Sequence, residues 1–205
     1  MSDGPAARPG AGKMKWALWG AAALGVAAVL YIIVAASIKP SGGGALKDLA
    51  KGQMAKLEVP LEATRAPSHV FYDGAGKPVR VADFKGQVVV MNIWATWCAP
   101  CVIEMPTLAA LQTSYAGKPV KVLTVSVDSP DDTAKAQAFI AKHAPLDFYI
   151  DRARKISFLL TPPAPGMPTT VIYGPDGVER ARLAGEADWN SKEAKAVIDQ
   201  VLSGG

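Results

Sequence analysis

Residues 88 to 94 read VVVMNIW, a near-continuous apolar run. A strand that is apolar at successive rather than alternate positions has to be covered on both faces, as in the middle of a sheet between helices. Pro100 follows closely, and a proline in the first turn of a helix costs nothing, because its missing N–H would be unpaired there. The pattern predicts a helix from this point to about Tyr115, kinked near Pro106. VKVLTVSVD, from Val120, is a second buried strand. A helix is expected over 131–143, a short third strand at DFYI and a further apolar helical stretch over 152–160.

Before the central strand, VFYDGAGKPVRV places two short strand-like runs around a glycine-rich turn, the signature of a β-hairpin. After it, TTVIY and VERARLA flank Gly-Pro-Asp-Gly and predict a second hairpin. A closing helix over 190–202 has Asn190 and Glu193 spaced like a capping box. Alternating elements with a terminal antiparallel pair imply an α/β fold, a central mixed sheet flanked by helices. The expected domain spans 60–205, and no internal repeat is present. Lysines and arginines number seven over residues 1–59 against three acids, which leaves fifteen of each over 60–205. A neutral domain lacks the gathered basic face that nucleic-acid binding requires.

From Trp16 to Ile38 no side chain is charged. Twenty-three residues at helical rise span about 34 Å, enough to cross a hydrocarbon core of roughly 30 Å. Residues 1–15 are therefore expected as a cytoplasmic tail, 16–38 as a single transmembrane anchor and 39–59 as a linker. The linker contains the hinge-like KPSGGG and a short amphipathic helix over 45–57, lying on the domain or on the membrane surface. Lysines flank the span on both sides, so the positive-inside rule is nearly silent. A short basic tail before a first span usually stays in the cytoplasm, which puts the domain in the periplasm, anchored to the inner membrane. A cleaved signal peptide ending near VAAS is the rival, disfavoured because the apolar run exceeds a usual signal core.

The chain has two cysteines, Cys98 and Cys101, three positions apart in NIWATWCAPCVIEMP. Where a helix begins, unpaired N–H groups and the positive end of the dipole stabilise a thiolate at Cys98, and Cys101, one turn on, can reach its sulfur. That pair makes a reversible disulfide. In the expected exchange the Cys98 thiolate attacks a substrate disulfide, and Cys101 then resolves the mixed disulfide. Zinc would need further ligands, and His69 and His143 fit no common spacing with the cysteines, so no metal site is expected. Transient Cu(I) binding by the two thiols stays open.

WATWCAPCVIEMP, GMPTTVIYGPDG and AGEADW together resemble the membrane-anchored thioredoxin-like proteins of the TlpA type, relatives of ResA and CcmG, over about residues 60–202. The resemblance implies a thioredoxin fold with a family insertion, matching the extra element between residues 145 and 160. It further implies a periplasmic thiol:disulfide reductase with no cofactor beyond its own Cys98–Cys101 pair, supplied with electrons by a membrane partner of the DsbD or CcdA kind. Implied clients carry cysteine pairs: an oxidase subunit II, its copper chaperone, or apocytochrome c. Ala99 and Pro100 between the cysteines offer neither charge nor donor to favour the reduced pair, so no means to a strong oxidant is evident.

Individual positions carry over as well. Pro168 matches a proline held in cis beside the disulfide, which would present the Met167 backbone as an edge for a client segment. Glu104, one turn beyond Cys101, matches a glutamate assisting proton transfer. Ordinary thioredoxin has a buried aspartate where this chain has Asn92. An amide cannot titrate, so Asn92 is expected to satisfy buried hydrogen bonds and Glu104 to be the proton acceptor. Trp94 reads as core. Trp97 and Pro100, with Met167 and Pro168, form the expected client-binding surface.

Overall fold

In a computed structural model, Gly25, residues 42–62 and residues 64–204 are described. The expected tail over 1–15 and, Gly25 apart, the expected span over 16–38 lie outside them. No helix among the described residues is long and apolar enough to cross a membrane.

The elements are α1 (Gly42–Leu49), β1 (Leu57–Glu58), β2 (Phe71–Asp73), β3 (Pro78–Val79), β4 (Val88–Trp94), α2 (Ala99–Ser114), β5 (Val120–Ser126), α3 (Thr133–Ile140), β6 (Phe148–Ile150), α4 (Ile156–Leu159), β7 (Thr169–Tyr173), β8 (Glu179–Ala184) and α5 (Lys192–Leu202). One sheet joins the strands in the order β1-β8-β7-β4-β5-β6-β2-β3. The apolar run VVVMNIW is its interior: all seven residues of β4 are buried, so both of its faces are covered. β4 runs parallel to β5, with Val88 opposite Val120 and Trp94 opposite Ser126. It runs antiparallel to β7, with Ile93 opposite Thr169. The sheet is therefore mixed, and both expected hairpins form, β2 with β3 and β7 with β8. In the second turn Gly177 has φ +75°, a conformation that costs glycine nothing.

Several boundaries differ from expectation. The helix expected over 45–57 begins earlier and ends at Leu49, so three glycines of the supposed hinge form its first turn. Gly52, at φ +53°, turns the chain into a 3-10 turn, and Leu46, Met54 and Leu57 are all buried in the domain core. α1 packs against α5 and β8, which places it on the domain. The helix expected over 131–143 is preceded by a 3-10 turn at Pro130–Asp132 and spans only Thr133–Ile140. That over 152–160 shrinks to α4, because the Asp151 carboxylate gathers the backbone N–H groups of Ala153, Lys155 and Ile156 into a turn. The cap of α5 is Ser191, whose hydroxyl accepts from the Ala194 N–H, and not Asn190, whose own N–H donates to Asp188.

Candidate active site

The cysteines sit where the central strand gives way to α2. Beyond Trp94 the chain turns, the Cys98 N–H donates to the Ala95 carbonyl at 3.1 Å, and Cys98 becomes the N-cap of α2 in extended conformation. Pro100 lies in the first turn, as the sequence demands, and α2 continues through Pro106 to Ser114. Cys98 and Cys101 are joined in a disulfide. Cys98 retains 7 % of its surface and Cys101 none, so of the two residues only Cys98 can be approached from outside.

The turn before the cysteines is pinned by a residue that sequence reasoning overlooked. Asp128, just past the end of β5, is fully buried. Its two oxygens accept from the Thr96 N–H at 3.1 and 3.0 Å, from the Thr96 hydroxyl at 2.8 Å and from the Ser126 hydroxyl at 2.8 Å. A buried carboxylate is tolerable only with its lone pairs engaged, and three of these bonds hold the residue two positions before Cys98.

One turn into α2, Glu104 points inward and is 2 % exposed. One oxygen accepts from the Asn92 side-chain amide at 2.7 Å; the other accepts from the Ala187 N–H at 3.2 Å and the Trp189 indole N–H at 3.1 Å. Asn92 also bonds the Thr170 hydroxyl at 2.9 Å, so it ties β4, β7 and α2 together. Burial pushes the Glu104 carboxyl up to about 7; the bonds from Asn92, Ala187 and Trp189 oppose the rise, and the Glu186 charge adds slightly to it. A carboxyl titrating there can gain or lose a proton near neutrality. Asn92 thus donates two buried bonds through its amide NH2, one of them to the titrating acid, while its Oδ1 is buried without a partner among the described residues. Trp189 was legible only as part of AGEADW.

The Met167–Pro168 bond is cis. Pro168 is buried and immediately precedes β7, whose first residue, Thr169, pairs with Ile93 near the cysteine end of β4. Met167 and Trp97 line a common open groove of about 650 Å³, together with Phe158, Arg154, Val127 and Asp132. Trp97 is 63 % exposed, whereas Trp94 is fully buried, as expected of core. The histidines are engaged elsewhere: His69 Nε2 lies 2.8 Å from Asp151, and His143 Nδ1 lies 2.9 Å from the Phe139 carbonyl oxygen. No cluster of three or more His, Cys, Asp or Glu is placed to hold a metal among the described residues.

A mixed sheet whose central strand leads into a helix capped by one cysteine of a Cys-x-x-Cys pair, beside a cis proline, defines a thioredoxin-like thiol-disulfide oxidoreductase. Residues 62–181 match the AhpC/TSA family. The thiol-disulfide oxidoreductase ResA of Bacillus cereus is 30 % identical over 138 residues, which cover 67 % of this chain and 78 % of that protein. Among solved structures, a candidate thiol-disulfide oxidoreductase from Bacteroides vulgatus aligns with TM-score 0.55 and 30 % identity, over 67 % of this chain and 94 % of the other. A secreted thiol-disulfide isomerase from Corynebacterium glutamicum has TM-score 0.56 at 22 % identity, over 71 % and 92 %, and shows the shared fold alone. The chain belongs to the AhpC/TSA family, as a thioredoxin-like protein of the ResA/CcmG/TlpA type.

Proposed function

We propose that the chain is a reductant of cysteine pairs in proteins that build the copper centre of cytochrome oxidase. The observation that carries the thiol-disulfide exchange is the asymmetry of the cysteines: Cys98 caps a helix and keeps a little exposed surface, and Cys101 is wholly buried one turn behind it. The reductive direction rests on the TlpA-type resemblance. In the reduced protein the Cys98 thiolate attacks a client disulfide and one client sulfur leaves as thiolate. Cys101 gives its proton to Glu104 and attacks Cys98, which releases the second client sulfur. Two electrons pass from the Cys98–Cys101 dithiol to the client, and the client thiolates take up the protons. A membrane dithiol protein of the DsbD or CcdA kind restores the pair. No further cofactor takes part.

The apolar stretch over 16–38 supports an inner-membrane anchor with the domain in the periplasm. The groove beside Trp97 and Met167 supports binding of an extended client segment. The client class rests on the TlpA-type resemblance of the cysteine and cis-proline motifs.

Replacing the resolving thiol tests the assignment. In cells producing the full chain, Cys101→Ser should accumulate mixed disulfides through Cys98, with an oxidase subunit or its copper chaperone among the captured proteins. Capture of apocytochrome c instead would redirect the client assignment to cytochrome c maturation. Equal capture by a Cys98→Ser chain would overturn the roles of the two thiols.

A further inference from the structure

Among the described residues Arg154 is the one non-glycine residue with positive φ, at +53°. A left-handed backbone is unfavourable for an ordinary side chain and persists only where its surroundings enforce it. Here they do so from a single centre. The fully buried Asp151 carboxylate accepts from the N–H groups of Ala153 at 3.0 Å, Lys155 at 2.7 Å and Ile156 at 2.7 Å, and lies 2.8 Å from His69 Nε2. The Arg154 N–H itself donates to the Asp151 carbonyl at 2.9 Å.

This turn holds Arg154 on the groove that Trp97, Phe158 and Met167 also line. Arg154 is exposed, and its guanidinium has no hydrogen-bond, ion-pair or ring partner among the described residues. Two other arginines are occupied, Arg152 over the Tyr72 ring at 4.2 Å and Arg182 bonded to Glu179, and Lys155, next in the chain, does not line the groove. Asp132, the acid on the same groove, already accepts from the Ser129 hydroxyl at 2.7 Å. Phe158 is 73 % exposed, an apolar surface left uncovered beside the free cation. The groove reaches Trp97, the residue immediately before Cys98.

We propose that Arg154 is a specificity-determining residue that pairs with an acidic side chain of the client. The groove then takes an extended client segment with an acid beside its disulfide and a large apolar side chain set against Trp97 and Phe158. This rests on the reductase reading and names the chemistry of its substrate. A partly solvated pair of this kind is worth about 1 kcal/mol, or roughly a fivefold preference.

The test uses the full chain and two synthetic peptides with the same intramolecular disulfide, one with Glu and one with Lys beside the first cysteine. The wild type should reduce the Glu peptide with a kcat/KM about fivefold higher. Arg154→Glu should reverse the order, and Arg154→Gly, which suits the positive φ, should bring the ratio to one. The ratio cancels any loss of active protein, so partial misfolding of a variant does not obscure it. A ratio unchanged within about twofold in both variants would overturn the proposal while leaving the reductase reading intact. A wild type that reduces neither peptide would instead overturn the reductase reading, and this inference with it.

Discussion

Replacing Glu104 with glutamine should change how stability depends on pH more than it changes stability at any one pH. In the unfolded chain the carboxyl has its ordinary value of 4.5; in the folded protein burial raises it to about 7. Below about pH 4.5 both states carry the proton and there is no penalty. As pH rises toward 7 the unfolded chain releases the proton while the folded protein retains it, so stability is lost across that window. The decline levels off once the folded carboxyl ionises. At 1.36 kcal/mol per pH unit the loss comes to about 3 kcal/mol. Glutamine cannot titrate. It also turns an NH2 toward the Ala187 or Trp189 donor, a cost that does not vary with pH. Urea unfolding of the oxidised proteins at about pH 4.5, 6 and 8 should therefore show the variant gaining about 3 kcal/mol on the wild type from the lowest to the highest pH. Curves parallel to within about 1 kcal/mol would refute a buried, upshifted Glu104. In the reduced proteins, the limb near pH 7 in the rate of client reduction should disappear with the same substitution.

Trp189→Phe removes one of the donors that hold the Glu104 carboxylate down. The midpoint of the stability decline and of the activity limb should then move up by about one pH unit, and an unmoved midpoint in the same pH series would remove Trp189 from the network. Asp128→Ala leaves the Thr96 and Ser126 donors without their acceptor. A loss of about 3 kcal/mol, or roughly 10 °C in Tm, is expected by calorimetry. The Cys98 thiol should also react more slowly with a small disulfide in stopped-flow, whereas a Tm lowered by less than about 2 °C would show that Asp128 does not hold the turn.

Much of this fold was legible because its local signals agree with its global arrangement. VVVMNIW could only be a strand covered on both faces, and it lies in the middle of the sheet. Pro100 marked the start of α2, and GPDG the second hairpin. Reading failed where a tertiary bond outweighed local propensity. Periodicity in leucines and methionines extended the first helix past Leu49, but Gly52 breaks it so that Met54 and Leu57 can enter the core. The cap falls at Ser191 and not at Asn190, because Ser191 is the extended residue that directly precedes the helix and its hydroxyl accepts from the Ala194 N–H.

By itself the sequence determined the alternation of strands and helices and the helix-capping cysteine, because each depends on residue type at short range. Which groups meet across the chain was decided only by the tertiary structure. Asp128 reaches Thr96 across 32 positions, and Trp189 reaches Glu104 across 85. Burial, which pushes Glu104 up to about 7, belongs to the assembled core and to no single stretch of residues.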